Sequence, residues 1–217
     1  MRNTYIAAAA LIAAVFCLTS CHEGKSGSEN GLNTQKDSLM TNIVWTKSSP
    51  SELEVNPFNL LGKDWMALAT GSRKGFNSMT IAWGTMGQLW NKPVMIVYVS
   101  KDRYSKKLMD SNEYFTVTGF PQTAACRDAL EYIGSHSQRD EPDKTANAGL
   151  TVEFTQLGNP IFSEGNLAIE CKKIYSDEFE SDKMPESLMN SMYSEMGMHT
   201  MYIGEIVNVW EKKSPQE

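Results

Sequence analysis

The sequence predicts a mainly β fold with helical excursions, built as an antiparallel barrel. Seven segments alternate or run apolar over strand length, and Gly and Asn residues fall between several of them. The intervals between these segments vary in length, which favours antiparallel strands over regular βαβ units. The predicted strands are residues 65–70, 79–83, 94–100, 114–118, 150–154, 167–175 and 200–210. In the last of them, we expect Met201 and Ile203, with Ile206 as a further candidate, to share one face until a Gly or a bulge resets the alternation.

Three helices interrupt the predicted strands. They are expected at residues 103–109, 123–133 and 185–196. Asp102 is the predicted N-cap of the first helix, and Pro185 suits the first turn of the third. Leu188, Met192 and Met196 recur at every fourth residue. The third helix should therefore carry an apolar stripe.

The N-terminal segment has the pattern of an export signal. One positive charge at Arg2 precedes an apolar stretch over residues 5–18, and small residues lead to Cys21. This ending resembles a bacterial lipoprotein signal, which implies cleavage before Cys21 and a lipid on its thiol. The alternative is an uncleaved transmembrane helix, but a span needs roughly 20 apolar residues and this stretch is shorter. We therefore expect a signal peptide over residues 1–20 and an exported, membrane-anchored, extracytoplasmic protein.

Composition divides the rest of the chain and excludes one class of partner. Residues 21–39 are rich in Ser, Gly, Asn and Lys, so they are predicted to form a flexible tether. Residues 40–212 have the length of one domain with a hydrophobic core, and residues 213–217 form a short tail. The formal charge is −6, or about −7 without residues 1–20, because Arg2 is the only charge there. A chain of this charge is not expected to bind nucleic acid.

Few residues indicate metal or hydrolase chemistry. The spacing of Cys126 and Cys171 fits neither CxxC nor a zinc site, so free buried thiols are expected, with a disulfide as the alternative. A dense set of methionines suggests a Cu(I) site, because thioethers favour this ion. The helical spacing of several of these methionines is explained equally by apolar packing. These are Met184, Met189, Met192, Met196, Met198 and Met201. The sequence lacks GxGxxG, Walker A and HExxH motifs, and residues 71–75 fail the pattern of a hydrolase nucleophile. We predict no catalytic side chain and no metal ligand.

A basic cluster at the end of a predicted buried strand is one candidate binding site. It spans residues 101–107, where a predicted helix begins. Arg103 offers a fork for two phosphate oxygens and Ser105 a hydroxyl, with Tyr104 between them. Lys106 and Lys107 add positive charge at the start of the helix. A solvated helix surface with ordinary lysines is the alternative.

A polar and aromatic strand precedes this cluster by about twenty residues. Its candidate cofactor ligands are Asn77, Ser78, Met79, Thr80 and Trp83. Amide and hydroxyl groups can meet the polar edge of a heterocycle, and Trp83 can stack on it. Alternation directs Thr80 away from the face that carries Asn77 and Trp83, unless a bulge intervenes. In the alternative interpretation, Trp83 is part of the core.

Two later segments complete the candidate set. Residues 134–144 hold small, hydroxyl and charged side chains, including Ser135 and Lys144, in a loop that can close over a ligand. A capped turn stabilised by Ser137 and Asp140 is the alternative. His199 begins the last strand and can donate to an anionic oxygen of a ligand, although a strand-end histidine is more often structural.

Six motifs occur in an order that resembles the flavin reductase-like family, and within it the flavoredoxin-like proteins. They are Asn77-Ser-Met-Thr-Ile-Ala-Trp83, Leu89-Trp-Asn-Lys-Pro-Val94, Arg103-Tyr-Ser105, Tyr114-Phe-Thr-Val117, Gly134-Ser-His-Ser-Gln-Arg-Asp140 with Lys144, and His199-Thr-Met-Tyr-Ile-Gly-Glu205. The resemblance covers residues 56–209. It implies an FMN-binding split β-barrel of Greek-key type that forms a homodimer with the flavin near the subunit interface.

The resemblance also implies roles for individual residues. Asn77 and Trp83 match positions that meet the flavin, and Arg103 with Ser105 matches the phosphate-side group. Lys144 matches a lysine that reaches the cofactor. The histidine that matches His199 lies near the ring or the ribityl chain.

The function expected from these observations is a lipid-anchored redox protein that passes electrons through non-covalent FMN. The electron donor would be NAD(P)H or a redox protein. The alternative is a non-catalytic extracytoplasmic module that binds flavin or a haem-like ligand. In either case the cofactor carries the chemistry and the protein binds it.

Overall fold

Antiparallel strands dominate the part of the chain that the computed structural model describes, residues 44–212. In chain order the strands are β1 (Thr46–Ser48), β2 (Met66–Ser72), β3 (Gly75–Ile81), β4 (Gly84–Leu89), β5 (Lys92–Ser100), β6 (Tyr114–Gly119), β7 (Val152–Phe154), β8 (Pro160–Phe162), β9 (Leu167–Glu178) and β10 (His199–Glu211). Seven strands follow the order β3-β2-β6-β9-β10-β5-β4, β1 pairs with β10, and β7 and β8 form a separate hairpin. The predicted mainly β, antiparallel fold is confirmed.

The predicted N-terminal features and the tail lie outside the described residues. This applies to the signal peptide over residues 1–20, the lipidation of Cys21, the tether over residues 21–39 and the tail over residues 213–217. Within residues 44–212, no helix combines the length and the apolar character that a membrane crossing requires.

The sheet is split between two strands that follow each other in the chain. β3 and β4 stand at opposite ends of the strand order, and within residues 44–212 no ladder joins them. Ala82 and Trp83 link these two edge strands. A cavity that we call the main cavity lies beside this link.

Strand β2 is buried on both faces, which explains its nearly continuous apolar sequence. Met66 and Leu68 point into the barrel core, whereas Ala67 and Ala69 contribute to a second core cluster. That second cluster is closed by side chains of a helix that follows β6, including Ile133. The small alanines allow the helix to lie close to the sheet.

Five α-helical segments lie outside the sheet within residues 44–212. They are α1 (Pro57–Asn59), α2 (Ser105–Ser111), α3 (Ala124–Ser135), α4 (Lys144–Asn147) and α5 (Glu186–Met192), and a π-helical turn, Leu60–Asp64, continues α1. The prediction of Asp102 as an N-cap is wrong, because α2 begins after Tyr104 with no side-chain cap. The predicted extension of α5 to Met196 is also wrong, because the helix ends at Met192 and buries none of its residues.

The last strand contains the predicted break in alternation. Register shifts occur at Ile203/Gly204 and at Ile206/Asn208 in the pairing of β10 with β9. Tyr202, Ile206 and Val209 of this strand belong to the barrel core. The prediction of a bulge in the last strand is therefore confirmed.

The two cysteines of the described residues are free thiols, as expected. Cys171 is buried, whereas Cys126 is only half-buried against the second core cluster. Burial raises the pKa of the Cys171 thiol well above its usual value, with a further contribution from Glu170. Cys171 is therefore an inert core residue.

Candidate functional site

The main cavity lies in the gap of the split sheet and encloses about 620 Å³. One wall comes from the end of β3 and the link to β4, and another comes from the end of α5 and the residues that follow it. The lining residues are Met79, Thr80, Ile81, Ala82, Trp83, Tyr98, Ser100, Asp102, Arg103, Ser191, Met192, Ser194, Glu195, Met196 and His199. The cavity is open enough for a small molecule and mixes polar with apolar walls.

A smaller inner pocket of about 90 Å³ adjoins the main cavity. It is lined by Asn77, Met79, Asp102, Arg103, Tyr104, Ser105, Ile133, His136, Ser137, Gln138, Arg139 and Lys144. Met79, Asp102 and Arg103 line both spaces. The two cavities therefore form one elongated site with a basic end and an aromatic end.

Asn77 joins the two sequence segments that were predicted to cooperate. Its side chain on β3 is 2% exposed, and its Nδ2 donates to the hydroxyl of Ser105 at the start of α2 over 2.8 Å. Its Oδ1 is buried and has no hydrogen-bond partner within residues 44–212. A buried amide oxygen without a partner is costly, so a ligand donor at this position would stabilise the site.

Lys144 supplies a buried cation to the inner pocket. It is 2% exposed, and its Nζ donates to the carbonyl oxygens of Ile133 at 3.2 Å and His136 at 2.9 Å. Burial, and then the positive charge of Arg103, lower the pKa of Lys144 to about 8. An anion placed between the two cations would reverse this effect.

Arg103 is fixed from the other side of the inner pocket. Its Nη1 donates to the carbonyl oxygen of Gly134 over 2.8 Å, which ties the residues before α2 to the end of α3. One N–H group of the guanidinium therefore holds the loop, while the remaining N–H donors stay available to a phosphate.

The opposite end of the site is aromatic. The ring centroids of Trp83 and His199 lie 5.1 Å apart, and Tyr193 packs edge-on against His199 at 5.8 Å. Trp83 is 41% exposed, so the core interpretation of this residue is wrong. Its indole is available to a planar ligand.

His199 faces the cavity as a neutral side chain. It is 7% exposed, and its Nδ1 is buried with no hydrogen-bond partner among the described residues. Burial lowers the pKa of His199, Arg103 lowers it further, and Asp102 opposes the shift. A neutral imidazole can meet either a donor or an acceptor on a ligand.

A contact that the sequence did not reveal holds the far wall in place. The Gly197 amide donates to Oδ2 of Asp102 over 2.7 Å, and the hydroxyl of Ser100 donates to the Gly197 carbonyl over 3.1 Å. A Cβ at position 197 would lie 2.2 Å from Asp102 Oδ2, so any other residue here would displace the Asp102 carboxylate. Asp102 therefore fixes the segment after α5 across the cavity.

The side chains of three predicted cofactor-binding residues form hydrogen bonds within the protein instead of facing a ligand. The hydroxyl of Ser78 lies 3.1 Å from that of Thr145. Thr80 lines the cavity, but its hydroxyl donates to the Leu130 carbonyl, as expected from its outward direction. Ser135 is the last residue of α3, and its hydroxyl donates to helix carbonyls instead of entering the pocket.

The residues of the basic cluster, 101–107, line more than one cavity. Arg103, Tyr104 and Ser105 line the inner pocket, as predicted. Lys106 and Lys107 do not line the inner pocket, and they line an adjoining outer groove together with Lys101 and Arg103. A contact of either lysine with the same phosphate as Arg103 stays a prediction.

Comparison with known proteins identifies the family. Residues 65–217 match the model of the flavin reductase-like domain. The chain belongs to the flavin reductase-like family. No curated protein sequence matches it significantly.

Solved structures of flavin reductase-like proteins share this fold. An FMN-binding domain of a flavin reductases-like enzyme from Shewanella baltica is 18% identical, with a TM-score of 0.56 and coverage of 78% of each chain. Flavoredoxin of Desulfovibrio vulgaris is 26% identical, with a TM-score of 0.53 over 70% of this chain and 72% of that one. An NADH:FAD oxidoreductase of Streptomyces globisporus, solved with NAD and FAD fragments, is 17% identical, with a TM-score of 0.50 over 68% and 74%.

Proposed function

We propose that this flavin reductase-like protein binds FMN non-covalently and passes electrons through it, while a lipid on Cys21 holds it at the outer side of a membrane. The observation that carries the FMN proposal is the continuity of a basic pocket with an aromatic cavity through Met79, Asp102 and Arg103. A ligand with an anionic end and a flat ring matches this arrangement.

The residues present fit FMN on chemical grounds. The buried Oδ1 of Asn77 and Nδ1 of His199 both lack partners within residues 44–212, and both belong to residues that line the site. Arg103 and Lys144 would hold the phosphate, while Trp83 and His199 would flank the ring. When bound, the flavin supplies the acceptance and release of electrons, one or two at a time.

The side chains bind and orient rather than react covalently. Lys144 lines the inner pocket and His199 lines the main cavity, which supports a contact with different parts of the cofactor. Met192 and Met196 line the cavity with adaptable apolar surface. A neutral His199 would hold a hydrogen bond to the ring or the ribityl chain.

The proposed turnover is tested by anaerobic reduction. FMN bound to the protein should lose its oxidised absorbance when NADH or NADPH is added, at a rate that saturates with the nicotinamide. If neither nicotinamide reduces the bound flavin but a chemical reductant does, the donor is a redox protein or the chain is a binding module. Reduction by a single-electron protein donor then separates these two functions.

Trp83→Ala should change the visible spectrum or the fluorescence of bound FMN. Because Trp83 is 41% exposed, the loss of stability should be smaller than the about 3–5 kcal/mol that removal of a buried Trp costs. Trp83→Phe is the matched control, because it keeps an aromatic ring. A Trp83→Ala variant with an unchanged flavin spectrum and unchanged affinity would contradict the placement of the ring at this end.

Cys21→Ser should move the protein from the membrane fraction to the soluble fraction of its bacterial host. The reason is that a lipid on the thiol is the proposed anchor, and a serine cannot carry it. Fractionation with immunodetection measures the change. Continued membrane association of Cys21→Ser would instead support an uncleaved helix over the apolar residues 5–18.

We also propose a homodimer with the flavin near the subunit interface. Exposed apolar surface next to the site supports it: Phe58 is 86% exposed and lines an apolar cleft of about 440 Å³ that also includes Trp83. Surface of this kind marks interaction sites. Sedimentation equilibrium should give twice the mass of the chain, and a monomer at micromolar concentration would contradict the proposal.

A further inference from the structure

The dense set of methionines around α5 and the start of β10 does not belong to the core. Its members are Met184, Met189, Met192, Met196, Met198 and Met201, and none of them is buried. Four other methionines, Met66, Met79, Met95 and Met109, lie in the barrel core and are at most 8% exposed. Helix α5 itself buries none of its residues. Packing in a core therefore does not account for the dense set.

Two of these methionines share a cavity with His199. Met192 and Met196 line the main cavity, and so does His199. Tyr193, the neighbour of Met192, packs edge-on against His199 with ring centroids 5.8 Å apart. A hydrogen bond to Asp102 fixes the backbone between Met196 and His199. The chain therefore turns so that two thioethers and one imidazole border the same end of the cavity.

The surroundings of His199 favour a bound cation. Its Nδ1 is buried and has no hydrogen-bond partner among the described residues, and an unprotonated ring nitrogen is a common metal ligand. The ring of Trp83 lies 5.1 Å from that of His199, and the face of an indole attracts cations. Two carboxylates, Asp102 and Glu195, line the cavity against one guanidinium, Arg103. The charged side chains therefore leave an excess of negative charge.

The available ligand atoms select the kind of metal ion. Soft thioether sulfurs favour Cu(I), and imidazole suits copper as well, whereas Mg²⁺, Ca²⁺ and Mn²⁺ prefer oxygen ligands. Within residues 44–212, no group of three or more His, Cys, Asp or Glu side chains could hold a metal ion. A metal site that includes His199 therefore needs the thioethers as its other ligands.

We propose that Met192, Met196 and His199 bind one Cu(I) ion at the aromatic end of the main cavity, with the ring of Trp83 facing the ion. This inference goes beyond the proposed flavin function and does not depend on it. The ion is bound and released as Cu(I), so no electron is transferred. It takes space that the proposed flavin ring also uses, so saturating FMN should lower the apparent affinity for Cu(I).

The test measures Cu(I) affinity anaerobically, by titrating the full-length protein against the Cu(I) chelator bicinchoninate. Met192→Leu/Met196→Leu removes both thioethers and nearly conserves side-chain volume. Cu(I) binding should weaken at least about tenfold, because even groups that only orient a metal ligand typically contribute about tenfold to a hundredfold. His199→Gln should cause a loss of at least the same size. The matched control is Met184→Leu/Met189→Leu, since neither of these methionines lines the cavity, and its Cu(I) affinity should stay within about twofold.

The outcomes separate this inference from the proposed function. Equal Cu(I) affinity of Met192→Leu/Met196→Leu and wild type, or an equal loss in the control variant, would overturn the inference. The same holds if the wild-type protein takes no Cu(I) from the chelator. The melting temperature of the double variant should stay within about 4 °C of wild type, which excludes unfolding as the cause of a loss. FMN binding without Cu(I) binding would leave only the proposed function, and Cu(I) binding without FMN binding would leave only this inference.

Discussion

Arg103→Ala and Lys144→Ala are each expected to weaken FMN binding by about tenfold to a hundredfold. Each change removes a charged partner of the phosphate, and such hydrogen bonds contribute about 1.5–3 kcal/mol. Riboflavin, which lacks the phosphate, should bind both variants as well as it binds the unmodified protein. Titration of flavin fluorescence against each variant measures the two affinities.

The riboflavin comparison distinguishes the role of these cations from a general loss of structure. Lys74→Ala is the control for charge, because Lys74 is exposed on the turn between β2 and β3 and lines neither cavity. Equal losses of riboflavin and FMN affinity would show that the changes damage the site as a whole. Unchanged FMN affinity in both variants would place the phosphate elsewhere.

FMN affinity is expected to fall as the pH rises above about 8. The pKa of Lys144 is about 8 without a ligand, so its ammonium group loses its proton above this pH. A bound phosphate stabilises the ammonium form and raises the pKa, so binding takes up a proton in this range. The dissociation constant should therefore rise by up to about tenfold per pH unit, the limit for one linked proton. Calorimetry in two buffers with different ionisation enthalpies measures the proton uptake.

Lys144→Met provides the control for this pH dependence. The variant should bind FMN weakly with an affinity that changes little between about pH 7.5 and 9.5, because the linked proton is absent. Wild-type affinity that is constant over this range would contradict the assignment of Lys144 to the phosphate.

Without cofactor, the contribution of Lys144 to the stability of the fold should increase with pH, whereas FMN affinity decreases. Since the folded pKa of Lys144 is about 8 and its usual value is 10.5, the unfolded chain binds more protons between these values. The contribution of Lys144 to stability therefore rises with pH across this window. The difference in melting temperature between wild type and Lys144→Met isolates this contribution from those of the other lysines.

The strands with strong patterns could be predicted from the sequence, and the weakly patterned ones could not. β5, β6, β9 and β10 carry apolar runs that burial requires on at least one face. β4 escaped prediction because it has two glycines and no buried residue, as expected of an edge strand that pairs only with β5. Edge strands leave a weak pattern because neither face is fully buried.

The chemistry of the site was more predictable than its geometry. Asn77, Arg103, Ser105 and Lys144 could be selected because their side chains suit a phosphate and a heterocycle, and the structure places them around one pocket. The position of Asp102 before a predicted helix indicated an N-cap. In the structure, its carboxylate instead accepts a hydrogen bond from the amide of Gly197, which is distant in the sequence. Only the folded arrangement reveals that contact.

The limits of local pattern also appear in the segment after α5. The spacing of Leu188, Met192 and Met196 continues beyond the helix, yet the chain leaves the helical conformation at Tyr193. The bond between Asp102 and Gly197 and the packing of Tyr193 on His199 override the helical pattern. Met192 and Met196 line the main cavity, whereas Leu188 does not.

The visible absorption spectrum of the purified protein, after incubation with FMN and gel filtration, tests the central claim most directly. The account predicts that FMN stays with the protein in a one-to-one ratio with the chain and that its spectrum is perturbed by the aromatic end of the site. A colourless protein that elutes free of FMN under these conditions would contradict the assignment of the cavity to a flavin.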